Sequence, residues 1–354
     1  MKANSTTSRK IHDLLEHTLI SGEAMSAWLN GEENKMVMQL QPISTYLLAN
    51  APKKLYRMRA YNDRTIKALK EDKLYFSRAD WFNDPYDCLL YFDQKEIRKR
   101  LEKMFSDESL RAGLEQSGMQ FPLPGVARSK EEYIRKFGLI RSEIIDNMCG
   151  KQMDAVAMLQ KTTFIICFCE TVLSPIMWSH YSDNHKGFAI EFEFEPNCFA
   201  PTPYTSRDSN TMMYGWTSLL PVFYSKQRAD ATELAKLYCM CETRDRFRTK
   251  AERWIEGLFL PDMLLRTKLS LEKSESWAYE REWRMIETRE WPNDIVNTNA
   301  PRNKKAAAIY LGERMLQDHK DELIQIARDK NIPVYEMYID YASKEYAMKY
   351  REIK

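Results

Sequence analysis

Glu280 and Glu282, two positions apart and followed by Arg284 in "SWAYEREWRMI", are the residues whose types and spacing point most directly to chemistry. Read as a β-strand, in which successive side chains alternate faces, the stretch puts Glu280, Glu282 and Arg284 on one face and Tyr279, Arg281 and Trp283 on the other. A carboxylate in a dry cleft stabilises developing positive charge or accepts a proton, and an adjacent guanidinium keeps one carboxylate ionised. Two glutamates on an exposed strand face are ordinarily inert. The aromatics Trp277, Tyr279 and Trp283 shift the reading toward a strand buried on one side, with its glutamate face lining a cleft.

Three further constellations carry reactive groups. In "LYRMR", Arg57 and Arg59 share a strand face, and paired guanidinium forks suit a pyrophosphate, although a solvated basic face has the same pattern. "FNDPYDC" offers Asn83, Asp84 and Asp87, and its Asn-Asp-Pro composition is first that of a self-bonded turn forming a pocket wall. "MWSHYSDNHKGFAIEF" crowds Trp178, His180, Tyr181, Asp183, His185 and Lys186 ahead of a strand. Tyr181 could stack on a planar ring with His180 assisting, or both could belong to a packed hydrogen-bonded network. A metal site on His180, Asp183 and His185 is disfavoured, since a spacing of five matches neither one helix face nor the usual zinc patterns. No glycine-rich phosphate loop or nucleophile elbow occurs, and eleven glycines argue against a Rossmann fold.

Elements must hold these residues. Strands are expected at "KKLYRMRAY", at "LYFS" after a short helix, at "TTFIICFC" as a central buried strand, and at "GFAIEFEF" as a half-exposed one. Further strands are expected at "LLPVFYS", "KAAAIYLG" and "IPVYEMYID", the last two separated by a helix. This is an α+β chain with a mixed, mostly antiparallel core. Its expected organisation is a helical extension over 1–50, one α+β domain over 51–341 with helical insertions near 93–162 and 227–272, and a tail over 342–354. The 354 residues carry a formal charge of +2, so nothing global points to a polyanion or membrane partner. Seven scattered cysteines in so long a chain read as reduced thiols, and with no apolar run of about eighteen residues the expected location is cytoplasmic.

The blocks "LYRMRAYNDRTIKALKEDKLYFSRADWFNDPYDC", "MWSHYSDNHKGFAIEFEF" and "SWAYEREWRMI" with "AAIYLG" resemble, in order and spacing, a prokaryotic family known as domain of unknown function 2971. That resemblance covers roughly 54–92, 163–226 and 273–340. More loosely, the order of parts resembles the ADP-ribosyltransferase fold. The second resemblance implies NAD as substrate, no metal, and a protein or nucleic-acid acceptor. Glu282 would be the catalytic carboxylate and Glu280 the group that orients or deprotonates the acceptor. Arg59 or Arg57 would hold the NAD phosphates or ribose, Tyr181 would stack on nicotinamide and His180 would assist. The Ser-Thr-Ser element of arginine-specific members is not found, and Ser77 is its nearest stand-in. The setting this implies is a toxin or anti-phage defence effector, with a cognate inhibitor among its partners. A metal-dependent nuclease and a nucleotide-binding sensor without turnover are the alternatives.

Overall fold

The computed structural model describes residues 4–18, 34–195, 202–208, 211–217, 219–232, 264–288, 302–344, 346 and 348–353. At the N-terminus, α1 (Thr6–Glu16) is capped by the Ser5 side chain, which accepts from the Ser8 amide, and buries Ile11 and Leu15 one turn apart. In α2 (Asn34–Asn50), Leu40, Ile43 and Leu47 repeat at three- and four-residue intervals and join the same core. The segment read as an extension is therefore an integral layer of the main domain.

After α2 come β1 (Lys54–Arg59), α3 (Asp63–Lys70), β2 (Lys73–Leu74), β3 (Ser77–Arg78) and a 3-10 turn, Ala79–Trp81. A reciprocal box between Asn62 and Thr65 fixes the start of α3. The insertion expected near 93–162 is helical: α4 (Gln94–Met104), α5 (Asp107–Gln116) and α6 (Lys130–Thr162). Its Ile97, Leu101, Phe137 and Ile145 belong to a second apolar cluster that also takes in Leu90, Phe92, Ala229, Ala231 and Leu269. The chain returns through β4 (Thr163–Cys169), α7 (Pro175–Tyr181), β5 (Phe188–Glu193), the pair β6 (Thr202–Asp208) and β7 (Thr211–Thr217), β8 (Leu219–Pro221) and β9 (Phe223–Ser225). It closes with α8 (Leu265–Ser270), β10 (Glu272–Ser274), a 3-10 turn at Glu275–Glu280, β11 (Glu282–Thr288), β12 (Arg302–Asn303), β13 (Ala308–Leu311), α9 (Gln317–Lys330), β14 (Val334–Ile339) and β15 (Met348–Ile353).

The central sheet runs β15-β14-β13-β5-β1-β4-β11-β8. Its pairs are antiparallel except β13 with β14, which α9 connects as a crossover. Among the described residues this is a mixed, mostly antiparallel α+β fold. The strand β4 forks: on one edge it pairs with β1 at Cys169 and with β3 at Phe164 and Ile165. Its other edge pairs with β11 along its whole length. The wedge between β1 and β3 opens a cleft in the sheet.

Several expectations are corrected. "SWAYEREWRMI" is not one strand: residues 275–280 form the 3-10 turn, and Arg281 adopts a left-handed φ of 46° before β11 begins. Trp277, Tyr279 and Trp283 consequently do not share a face, and Trp283 alone of the three is buried. β5 is not half exposed, because Glu191 on its second face is 3% exposed and accepts from Tyr310 Oη at 2.7 Å and Lys54 Nζ at 2.6 Å. The stretch read as a tail carries β15, which pairs with β14 over Met348–Ile353. In the expected insertion over 227–272, residues 233–263 lie outside the described ones, and 264–270 are chiefly α8.

Candidate functional site

The backbone turn at Arg281 decides the site. A left-handed residue between the 3-10 turn and β11 lets Glu280, from the turn, and Glu282, from the strand, both point into the fork of the sheet. They line one cleft of about 310 Å³ together with Arg57, Arg59, Ser77, His180 and Tyr181. The seven residues given roles by the ADP-ribosyltransferase resemblance all line this cleft, whereas Asp84, Asp183, His185 and Lys186 do not, and the two glutamates reach it through a backbone different from the uninterrupted strand that their spacing suggests.

Beneath the cleft lies a buried charge cluster. Arg284, fully buried, donates to both oxygens of Asp87 (2.8 and 2.6 Å), to both oxygens of Glu282 (2.8 and 3.1 Å) and to the Ser270 carbonyl at 2.7 Å. Lys273 Nζ, 7% exposed as a residue, reaches Glu280 at 2.6 Å, Glu282 at 3.0 Å and Asp87 at 3.3 Å. Tyr181 Oη donates to the other Glu280 oxygen at 2.5 Å, and the Glu282 amide donates to Tyr224 Oη at 2.8 Å. Three carboxylates face two cations, so the cluster carries one excess negative charge when all are ionised.

The two glutamates titrate in opposite directions. Burial, and then the Glu282 charge, push Glu280 up from 4.5 to about 7. Burial also acts to raise Glu282, but Arg284 and Lys273 outweigh it and hold this carboxyl far below the usual range. Burial opposes the charge on Lys273, yet the surrounding carboxylates, Glu282 foremost, keep it firmly protonated. The excess negative charge therefore resides at Glu280 and appears as the pH passes about 7.

Opposite the carboxylates stand Arg57 and Arg59. Arg57 is 8% exposed, and its hydrogen bond is a long one, 3.5 Å, to the Tyr75 carbonyl. Neither arginine has a carboxylate within ion-pair distance among the described residues. Burial, and then the charge of Arg59, lower Arg57 well below its ordinary value, and burial lowers Arg59 to about 10. A desolvated guanidinium without a counter-ion is costly in isolation and is stabilised by an incoming anion.

On the cleft rim, His180 Nδ1 and Tyr279 Oη are 2.9 Å apart, Trp277 lies 5.1 Å from Lys273 Nζ, and Asn83 Nδ2 donates to Tyr181 Oη at 3.4 Å. His185 is engaged elsewhere, with Ser179 Oγ at 3.1 Å. Among the described residues no group of three potential metal ligands is assembled. Sequence reading missed Lys273 and Tyr224: "LEKSESW" carries no period marking a buried lysine, and Tyr224 sits in an ordinary apolar run. Asp87 was visible only as a turn residue, whereas its 1% exposure and two bonds from Arg284 make it a structural counter-ion.

Residues 177–285 match the family model described as "Protein of unknown function (DUF2971)". The DUF2971 match contains His180, Tyr181, Lys273, Glu280, Glu282 and Arg284, hence the carboxylate side of the cleft, while Arg57, Arg59, Ser77 and Asp87 lie N-terminal to it. No curated protein and no solved structure matches the chain.

Proposed function

We propose that this protein is an ADP-ribosyltransferase-like enzyme that uses NAD as the donor substrate to modify a protein or nucleic acid. The observation that carries this reading is that one cleft holds a buried arginine, Arg57, and a half-buried one, Arg59, neither with a carboxylate partner among the described residues, together with a carboxylate cluster of one excess negative charge. Arg57 and Arg59 are suited to the pyrophosphate, and Tyr181 and His180 form an aromatic wall for the nicotinamide ring. In the reaction the bond from the ribose C1′ to the nicotinamide nitrogen breaks and nicotinamide leaves with the electron pair. The oxocarbenium-like ribose is stabilised by the fixed negative charge of Glu280 and Glu282. A new bond forms from C1′ to a nucleophilic atom of the acceptor, whose proton passes to Glu280. Glu282, pinned by Arg284 and Lys273, fixes the geometry and the charge, and Glu280 is the group free to take up a proton near neutral pH.

The proposal extends to a toxin or defence role in the cytoplasm, with an inhibitor protein as a partner. Isotope-labelled NAD incubated with the full chain and candidate proteins, DNA and RNA tests the chemistry: covalent label on one acceptor is expected. Saturable NAD binding with neither transfer nor hydrolysis would instead favour a sensor module. Both oxygens of Glu280 are already hydrogen-bonded, which gives that second reading its specific support. An activity abolished by chelators and independent of NAD would point to the metal-dependent nuclease.

A further inference from the structure

Arg57, Arg59 and Ser77 are a shared wall. Behind them, between β1, α3 and β2, lies a second chamber of about 250 Å³, lined also by Arg64, Lys73 and Lys304. Its lining includes five cations and one carboxylate, Asp72, and Asp72 is already engaged by Lys330 Nζ at 2.8 Å. Among the described residues none of the five cations has a carboxylate within ion-pair distance, although elsewhere the molecule pairs its charges freely, as Lys70 with Glu322 and Lys320 with Glu336. Arg57, 8% exposed, bonds at 3.5 Å to the Tyr75 carbonyl, which leaves most of its donors unused between the two cavities. Arg64 is exposed and Lys304 Nζ rests 4.5 Å from the centre of the Phe194 ring; the like charges in this concave site still repel one another, burial lowering Arg57 and Arg59 and the charge of Arg64 lowering both further. An oxyanion bound among them removes that repulsion.

We propose that this chamber is a second phosphoryl-binding site that shares Arg57 and Arg59 with the cleft, taking a phosphate or pyrophosphate group on Arg64, Lys73 and Lys304 together with those two arginines. It is distinct from the carboxylate cluster and does not depend on NAD being the donor. A nucleotide and the phosphorylated end of a nucleic-acid strand present the same chemistry. The chamber's size suits a terminal phosphoryl group with its sugar and excludes a duplex.

Titration of the full chain with inorganic pyrophosphate at low ionic strength tests the site. Saturable binding is expected, weakening steeply as sodium chloride is added, and falling about tenfold or more in Arg64→Gln and in Lys304→Gln. These residues border only the second chamber, and unchanged melting temperatures without anion would show that a site has been lost rather than the fold. Lys73→Gln repeats the test from another element. Glu280→Gln, which is expected to stop NAD turnover, leaves pyrophosphate binding intact, so failure of the NAD reading and failure of this one are distinguishable. A 5′-phosphorylated oligonucleotide that binds more tightly than its 5′-hydroxyl counterpart and than pyrophosphate would identify a nucleic-acid end as the source, and the reverse order a free nucleotide or phosphate. No saturable pyrophosphate binding, or binding that the Arg64 and Lys304 variants leave unchanged, would overturn the proposal.

Discussion

Glu280 and Glu282 differ by two positions and by the number of cations that hold them. Glu282 accepts from Arg284 and Lys273, whereas Glu280 has Lys273 and a tyrosine. That difference has opposite consequences for stability. The Glu280 pKa is raised in the folded state, so between about 4.5 and 7 the folded protein binds more protons than the unfolded chain and loses stability as pH rises. Glu282 is depressed, so its contribution is present above the ordinary carboxylate range and lost as pH falls through and below it. Thermal melts should show a decline in melting temperature from about pH 5 to 7 that Glu280→Gln flattens. Arg284→Met should cost about 3–5 kcal/mol, measured by denaturant unfolding, because it leaves Asp87 and Glu282 buried without their strongest partner. The sequence made the glutamates, the arginines and Tyr181 visible as candidates. It could not reveal which glutamate is pinned, because that depends on Lys273 and on Asp87, almost two hundred residues away from Arg284.

At the scale of elements, the forked strand β4 makes the site, and close backbone packing maintains it. Gly187 sits where β5 begins, and a Cβ there would come within 2.1 Å of the Arg59 carbonyl oxygen. Backbone cannot yield as a flexible side chain can. Gly187→Ala should therefore lower the melting temperature and weaken anion binding together, since relief of the clash displaces the end of β1 that carries Arg59. Unchanged anion binding in a destabilised variant would disconnect Gly187 from the site. Periodicity marked β1, β4, β5, β13, α9 and β14 as elements, because burial imposes a regular pattern on each. It missed the break at Arg281, since an arginine in the left-handed region leaves no signature such as glycine would. The alternation of "GFAIEFEF" also misled about exposure: Glu191 is inside because Tyr310 and Lys54, distant in sequence, satisfy it.

At the scale of the whole molecule, the N-terminal helices belong to the principal core. Ile11, Leu15, Leu40, Ile43 and Leu47 are at most 4% exposed and pack in the cluster that holds Leu55, Phe76, Phe168 and Trp283. Burial of each such aliphatic chain is worth about 1.5–3 kcal/mol, so together they rival the roughly 5–15 kcal/mol net stability of a whole domain. Removal of residues 1–50 should give an aggregated or unfolded product rather than a trimmed, folded domain, as circular dichroism and gel filtration would show. By contrast, the helices α4 and α6 pack in a second cluster, shared with Leu90, Phe92, Ala229, Ala231 and Leu269, and their sequence pattern made them recognisable as helical. The α+β class was legible because strands and helices leave different periods. The fork in the sheet was not, since it arises from which strands share an edge of β4.

In the proposed enzyme, arginines suited to the NAD phosphates share one cleft with a carboxylate that gains its charge as the pH passes about 7. Release of nicotinamide from NAD by the purified full chain, followed between about pH 5.5 and 8.5, tests it most directly. The predicted result is a rate that rises with an apparent pKa near 7 and falls by about 10²- to 10⁴-fold in Glu280→Gln, with the fold retained. A rate independent of pH and unaffected by Glu280→Gln, or no release at any pH with candidate acceptors supplied, would contradict it.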